Sequence, residues 1–258
     1  MIGAIAGDII GSRFEGGQAP SYDFELFHPF CRFTDDTVCT LAVARAIMDQ
    51  GDFADNIRSL AREFPNSRYG GMFREWFRVE NAPAYGSWGN GAPMRVSSVG
   101  WLARSLEQVD ELAEAQASVS HDHPDAINAS KAIARAIFLL SHGENKSDVG
   151  SAIENDFEYD LSEDAIKGRK WFDITAKGIS QTALSLALRC NSWEDTIRAC
   201  ALRGGDTDTL ACIAGSVSEA MYGVPEKIAT QAKKRLAPSL LAIVQRFEEI
   251  TKTRNKQQ

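Results

Sequence analysis

Two short clusters of acids and hydroxyls lie far apart in the chain, Phe33-Thr34-Asp35-Asp36-Thr37 and Gly204-Gly205-Asp206-Thr207-Asp208-Thr209. Each sets two carboxylates and two hydroxyls within four residues. Such oxygens, with water, are the ligands that hard divalent cations such as Mg²⁺ favour. Neither cluster contains His or Cys, which argues against a zinc-like site. If the fold joins the clusters, their four carboxylates repel one another unless cations compensate them. One or two bound metal ions are the simplest expectation.

Each cluster alone has a plainer reading. Thr34 is a suitable N-cap, and acids in a first helical turn suit the helix dipole. Asp206 also precedes an apolar run and invites the same reading. Gly204-Gly205 adds a backbone that can approach a ligand closely. The DxDxT string of aspartyl phosphatases ends a buried strand, whereas Arg203-Gly204-Gly205 follows helical periodicity. A third stretch, Tyr85-Gly86-Ser87-Trp88-Gly89-Asn90-Gly91, runs into Ala92-Pro93-Met94-Arg95. A glycine-rich loop feeding a Pro-started helical turn offers N–H groups to an anion; its plain alternative is a tight turn. His121 and His123 straddle Asp122 before Pro124, a spacing that suits capping better than joint metal binding. Asp8 and Glu15 flank Gly11, where pairing with Arg13 or capping a turn are the plain roles.

The elements that must position these groups read as helices. Val38, Leu41, Ala42 and Ala46 keep three-and-four spacing within 36–49, interrupted by Arg45. Residues 126–140, 179–189, 194–203 and 207–221 carry similar patterns. Thr34 and Ser192 are expected N-caps, and Gly51 and Gly143 expected stops. Alternating β-branched segments are nearly absent, so the expected fold is all-α, one domain of many helices spanning 1–258 and joined by Gly- and Pro-bearing loops. Residues 144–165 hold eight Asp/Glu against one Lys and read as a solvated connection. The tail 252–258 is expected to fray.

With 258 residues, 44% hydrophobic and 24% charged, the chain can bury a sizeable core. A net charge of −7 without a basic stripe disfavours a dedicated nucleic-acid binder. The start meets Asp8 without a basic segment and does not read as a signal peptide, and no run approaches a membrane span. Five cysteines without CxxC read as reduced thiols, which places the protein in the cytoplasm. A monomer is expected.

Taken in order, Gly3-Ala4-Ile5-Ala6-Gly7-Asp8 with Gly11 and Glu15, the Phe33–Thr37 cluster, Gly89–Arg95, Ser120-His121, and Gly204–Thr209 with Gly215 and Tyr222-Gly223-Val224-Pro225 resemble the ADP-ribosylglycohydrolase family. The resemblance runs from about residue 2 to 225; residues 16–32 and 144–170 contribute little. It implies an all-α fold, a single multi-helix orthogonal bundle whose central cleft holds a centre of two Mg²⁺ or Mn²⁺ ions, contacted by Thr34, Asp35, Asp36, Asp206, Asp208 and Thr209. It also implies that the loop containing Gly89, Asn90, Gly91, Met94 and Arg95 holds the diphosphate and distal ribose, and that His121 lines the cleft. Glu15 matches a mobile glutamate of some members.

The implied activity is hydrolysis of the glycosidic bond between ADP-ribose and an acceptor, arginine first, on a modified protein or small molecule. Cations would anchor the ribose hydroxyls and acidify a water, while Asp36, Asp208 or Glu15 serves as acid or base. The alternatives are an O-linked (serine or ester) ADP-ribose hydrolase, a non-catalytic ADP-ribose-binding or structural relative, and a two-metal phosphohydrolase. Retention of all four aspartates with Thr34 and Thr209 ranks the non-catalytic reading low.

Overall fold

The helical periodicity is realised as fourteen α-helices and no sheet among residues 1–255, which the computed structural model describes. The first seven are α1 (Ile2–Gly11), α2 (Asp35–Asp49), α3 (Phe53–Glu63), α4 (Gly71–Arg78), α5 (Ser97–Leu102), α6 (Leu106–Ser118) and α7 (Pro124–Ser141). The others are α8 (Lys146–Phe157), α9 (Glu163–Lys167), α10 (Ala176–Arg189), α11 (Trp193–Arg203), α12 (Thr207–Tyr222), α13 (Glu226–Lys233) and α14 (Pro238–Asn255). A 3₁₀ turn, Pro93–Arg95, precedes α5.

Helix α12 is buried from Thr207 to Ser218, as a helix apolar on every side must be. Around it pack α1, α7, α10 and α11. Its closest neighbour is α1, whose Gly3, Gly7 and Gly11 repeat every four residues and so share one face. A Cβ at these positions would lie 2.5 Å from Gly215 O, 2.1 Å from Ala211 O and 2.3 Å from Thr207 O. The numbering runs in opposite directions, so the two helices are antiparallel. Only glycine permits this approach, and it brings Asp8 of α1 close to the start of α12.

Thr34 and Ser192 cap as expected, accepting from Asp36 N and Asp195 N. The stop after α2 differs from expectation: Gln50, not Gly51, takes the left-handed conformation (φ 53°), and Gly51 N–H reaches back to Ala46 O. Gly143 does turn the chain after α7, at φ 89°. Arg45 leaves the apolar face of α2 by bonding Asn56 of α3.

The acidic stretch 144–165 is not a simple solvated connection. It forms α8 and starts α9, with Val149, Gly150 and Ile153 turned inward and the charges outward. Helix α14 continues to Asn255, within the tail 252–258 expected to fray, and residues 256–258 lie outside those described. All five cysteines are free, and Cys31, Cys39, Cys200 and Cys212 are buried. No helix among the described residues is long and apolar enough to cross a membrane.

Candidate active site

Three helices bring the acid clusters together. Helix α1 carries Asp8, the first turn of α2 carries Asp35 and Asp36, and the first turn of α12 carries Asp208 and Thr209. Asp8, Asp36 and Asp208 are buried, and each offers an oxygen within 4.8 Å of the other two. Asp8 was not among the expected ligands, and it is bonded neither to Arg13 nor to a turn of its own helix. Its carboxylate sits on the start of α2, accepting from Thr34 N (2.9 Å), Thr37 N (3.1 Å), Thr34 Oγ1 (2.7 Å) and Thr37 Oγ1. The unpaired N–H groups of a helix start explain why this carboxylate docks there.

Thr34 and Thr209 are buried supports of the acids. Thr34 Oγ1 lies 3.1 Å, and Thr209 Oγ1 3.3 Å, from Asp36 Oδ2. Thr34 does not line the cleft, whereas Thr209, Asp35, Asp36, Asp206 and Asp208 do. Asp206 is not a side-chain cap of α12; it accepts from Asn90 Nδ2 at 2.6 Å. Gly204 and Gly205 take positive φ (76° and 89°), but they approach protein backbone, not an open site. A Cβ on Gly205 would lie 2.2 Å from Trp171 O, and one on Gly204 2.5 Å from Gly17 O.

Burial raises every carboxylate of the cluster. Asp8 is pushed up to about 6 by burial, against the pull of its four hydrogen bonds. Asp35 is pushed up to about 8 by burial and then by the charge of Asp8. Asp36 and Asp208 go well above the carboxylate range, first by burial, then by Asp8 for Asp36 and by Asp206 for Asp208. Asp36 Oδ1 is buried without a hydrogen-bond partner. An all-oxygen donor set, mutual repulsion and an orphaned buried oxygen fit a hard divalent cation.

These shifts predict a pH dependence. A carboxyl whose pKa is raised by folding holds its proton more tightly in the native state. Its stabilising contribution is complete below the unfolded value, near 4, and is lost as pH rises through the folded one. Protein stripped of divalent metal should therefore melt at progressively lower temperature from about pH 5 to pH 8, the window set by Asp8 and Asp35. Mn²⁺ should flatten the decline. Calorimetry in EDTA and in Mn²⁺ checks this, and a flat EDTA profile would contradict it.

Above the acids opens a cleft of about 340 Å³, within the range of small-molecule sites. The loop 85–91 forms one wall. Gly86, Gly89 and Asn90 spend their N–H groups on Asp122, Ser87 Oγ and Ile174 O. Ser87, Trp88 and Gly91 have no protein acceptor for theirs among the described residues. Gly89, Asn90, Gly91, Met94 and His121 all line the cleft.

Arg95, expected among the substrate-binding residues, does not line it. The residue is fully buried, and its guanidinium donates to Gln116 Oε1 (2.8 Å), Gln116 O (2.6 Å) and Ser120 Oγ (3.0 Å). Ser120 Oγ in turn lies 2.8 Å from His121 Nδ1. Burial, then the Arg95 charge, pushes His121 well below its ordinary value, so its ring is neutral at pH 7. Arg95 thus orients the imidazole from behind. His123 is a cap, accepting from Asp125 N.

A Cβ on Gly91 would lie 2.7 Å from His121 Nε2. Gly91 is therefore required for contact with His121, not for a positive φ, which in this loop belongs to Gly86. Gly91→Val should displace the imidazole and weaken binding of the ADP-ribose that the sequence resemblance implies by roughly tenfold or more. Calorimetry on the folded variant tests this; unchanged affinity would reduce the loop to a turn.

Sequence reasoning named Glu15 at the opposite end of the cleft but missed its partner there. Glu15, half exposed, pairs with Arg68, whose guanidinium donates to Ser12 O at 3.3 Å and stands 4.0 Å from Asp208 Oδ2. Arg68 lies alone in a loop between α3 and α4, with no motif to mark it. The signal for Asp8 was present in the Gly3, Gly7, Gly11 repeat, which puts the helix bearing it against a partner.

Comparison with known proteins follows the same lines. A family model described as ADP-ribosylglycohydrolase matches residues 1–257. The chain is 24% identical to the ADP-ribosylhydrolase ARH3 of Xenopus tropicalis, over 86% of each protein. It is 23% identical to that of Homo sapiens, over 88% of this chain and 85% of the relative. It is 26% identical to the ADP-ribosylarginine hydrolase Tri1 of Pseudomonas putida (strain GB-1), over 84% of this chain and 68% of that one. A solved chain from an ADP-ribosylglycohydrolase-related protein complex shares the fold, with a TM-score of 0.75 and 19% identity over 97% of both chains.

Proposed function

The chain belongs to the ADP-ribosylglycohydrolase family, and on that premise we propose that its cleft hydrolyses the bond joining C1″ of ADP-ribose to an acceptor side chain or small molecule. The observation that carries this reading is the convergence of Asp8, Asp36 and Asp208 beneath the cleft, with Asp36 Oδ1 left unpaired. Asp35, Asp36, Asp206, Asp208 and Thr209, backed by Thr34 and Asp8, would hold two Mg²⁺ or Mn²⁺ ions. Such ions supply Lewis acidity, orienting ribose hydroxyls and making a water nucleophilic.

The protein's own groups divide the rest. The free N–H groups of Ser87 and Gly91, both in the cleft wall, would receive the diphosphate. Neutral His121 offers Nε2 to the distal ribose without a competing charge. In the chemical step, water oxygen bonds C1″ as the bond to the acceptor atom breaks. The water proton passes to a carboxylate, Asp36 or Asp208, and the departing acceptor atom gains a proton from a carboxyl group. The second transfer would fall to Glu15, at the open end, once its carboxylate is released from Arg68 and protonated. The free cysteines support a cytoplasmic setting.

ADP-ribosylated arginine and serine peptides and poly(ADP-ribose), each given with Mg²⁺ or Mn²⁺, test the reading. Free ADP-ribose and unmodified acceptor should appear in at least one case, and EDTA should stop their release. Phosphate release would indicate a phosphohydrolase, and ADP-ribose binding without turnover a non-catalytic relative. An arginine acceptor, the first expectation from the sequence, would bring a guanidinium to the Glu15 end of the cleft, where Arg68 already stands.

A further inference from the structure

We propose that Arg68 sets acceptor choice, excluding a guanidinium acceptor and favouring acceptors joined to ADP-ribose through a neutral oxygen. The inference rests on the hydrolase reading above and assigns the end of the cleft that reading leaves open. With the diphosphate against the 85–91 loop and the ribose over the acids, the acceptor leaves past Glu15, Arg68 and Met72.

Arg68 is held there by more than the acid cluster. Its guanidinium pairs with Glu15 and donates to Ser12 O, so two partners outside the buried acids fix it. Its backbone takes the left-handed conformation, φ 65°, which costs an arginine free energy and persists only where surroundings enforce it. Tyr69, the next residue, is buried and packs on Phe73 and Phe77, which anchors the segment.

A second guanidinium arriving at this end meets two obstacles. Glu15, the exposed carboxylate that would pair with it, is already engaged. The incoming charge would also stand within several ångströms of the Arg68 charge. Charges of like sign at that distance disfavour binding by on the order of tenfold to a hundredfold at the effective dielectric of a half-exposed site. A serine or ester oxygen brings no charge, and Arg68 can donate to it.

The experiment compares kcat/KM for matched ADP-ribosyl-arginine and ADP-ribosyl-serine peptides in Mn²⁺, for wild type, Arg68→Gln and Arg68→Lys. Wild type should prefer the serine peptide. Arg68→Gln should shift the ratio toward arginine by about tenfold or more, and Arg68→Lys, which keeps the charge, should stay near wild type. Melting curves establish that each variant is folded, and a role in folding alone would move both substrates equally. A wild-type preference for arginine, or a ratio in Arg68→Gln within about twofold of wild type, overturns the proposal. Failure of wild type on both peptides would instead remove the hydrolase reading, and this proposal with it.

Discussion

Asp36→Asn should reduce turnover by about a thousandfold while leaving a folded protein. Asp36 is the centre of the cluster: Oδ2 lies near the Thr34 and Thr209 hydroxyls, and Oδ1 has no partner. The amide keeps the shape but removes the charge. Its effects on stability should have opposite signs with and without metal. Without divalent ions the variant should melt higher than wild type, because one repelling carboxylate in a buried set is gone. With Mn²⁺ the order should reverse, since a ligand that binds only the native state stabilises by mass action and the variant binds it less. Calorimetry with and without Mn²⁺, beside a rate assay, reads both. Near-normal turnover, or equal metal stabilisation of the two proteins, would contradict this role.

Gly7→Ala should destabilise the protein by about 3 kcal/mol, lowering its melting temperature by about 10 °C. The new methyl would lie 2.1 Å from Ala211 O and 2.6 Å from Ala211 C, both backbone atoms of the core helix α12. Backbone has no rotamer to yield with, so the helices must separate. Separation moves Asp8 away from Asp208, and metal affinity should fall together with stability. Gly70→Ala is the control, because a Cβ there meets nothing within 4 Å. Equal melting temperatures for Gly7→Ala and wild type would show that the α1–α12 seam is looser than the structure has it.

Much of this architecture was legible in the chain because its causes are local. Helices α2, α7, α10, α11 and α12 show three-and-four apolar spacing, and Thr34 and Ser192 carry cap chemistry in their own residue types. What was not legible depends on distant partners. Asp8 lies inside an apolar helix, and its partners are the first N–H groups of α2, 26 residues on. Arg95 sits one residue after Met94, which lines the cleft, yet it points to Gln116 and Ser120 behind it. The 3₁₀ turn at Pro93–Arg95 sends neighbouring side chains in different directions, which adjacency in a motif does not reveal.

Helix α8 escaped because its inward face is only Val149, Gly150 and Ile153, while acids cover the rest. Gln50 takes the left-handed stop beside a glycine better suited to it, because the α2 hydrogen bonds end one residue earlier.

On the proposed function, the carboxylates of α1, α2 and α12 form a cation site at the floor of the cleft. Anomalous scattering from crystals grown with Mn²⁺ tests it without reference to any substrate. A peak bonded to Asp36 and Asp208 is expected, with Asp36 Oδ1 among the ligands, and it should be lost in Asp36→Asn. Mn²⁺ only at surface carboxylates, with Asp8, Asp36 and Asp208 unchanged and unliganded at saturating metal, would contradict it.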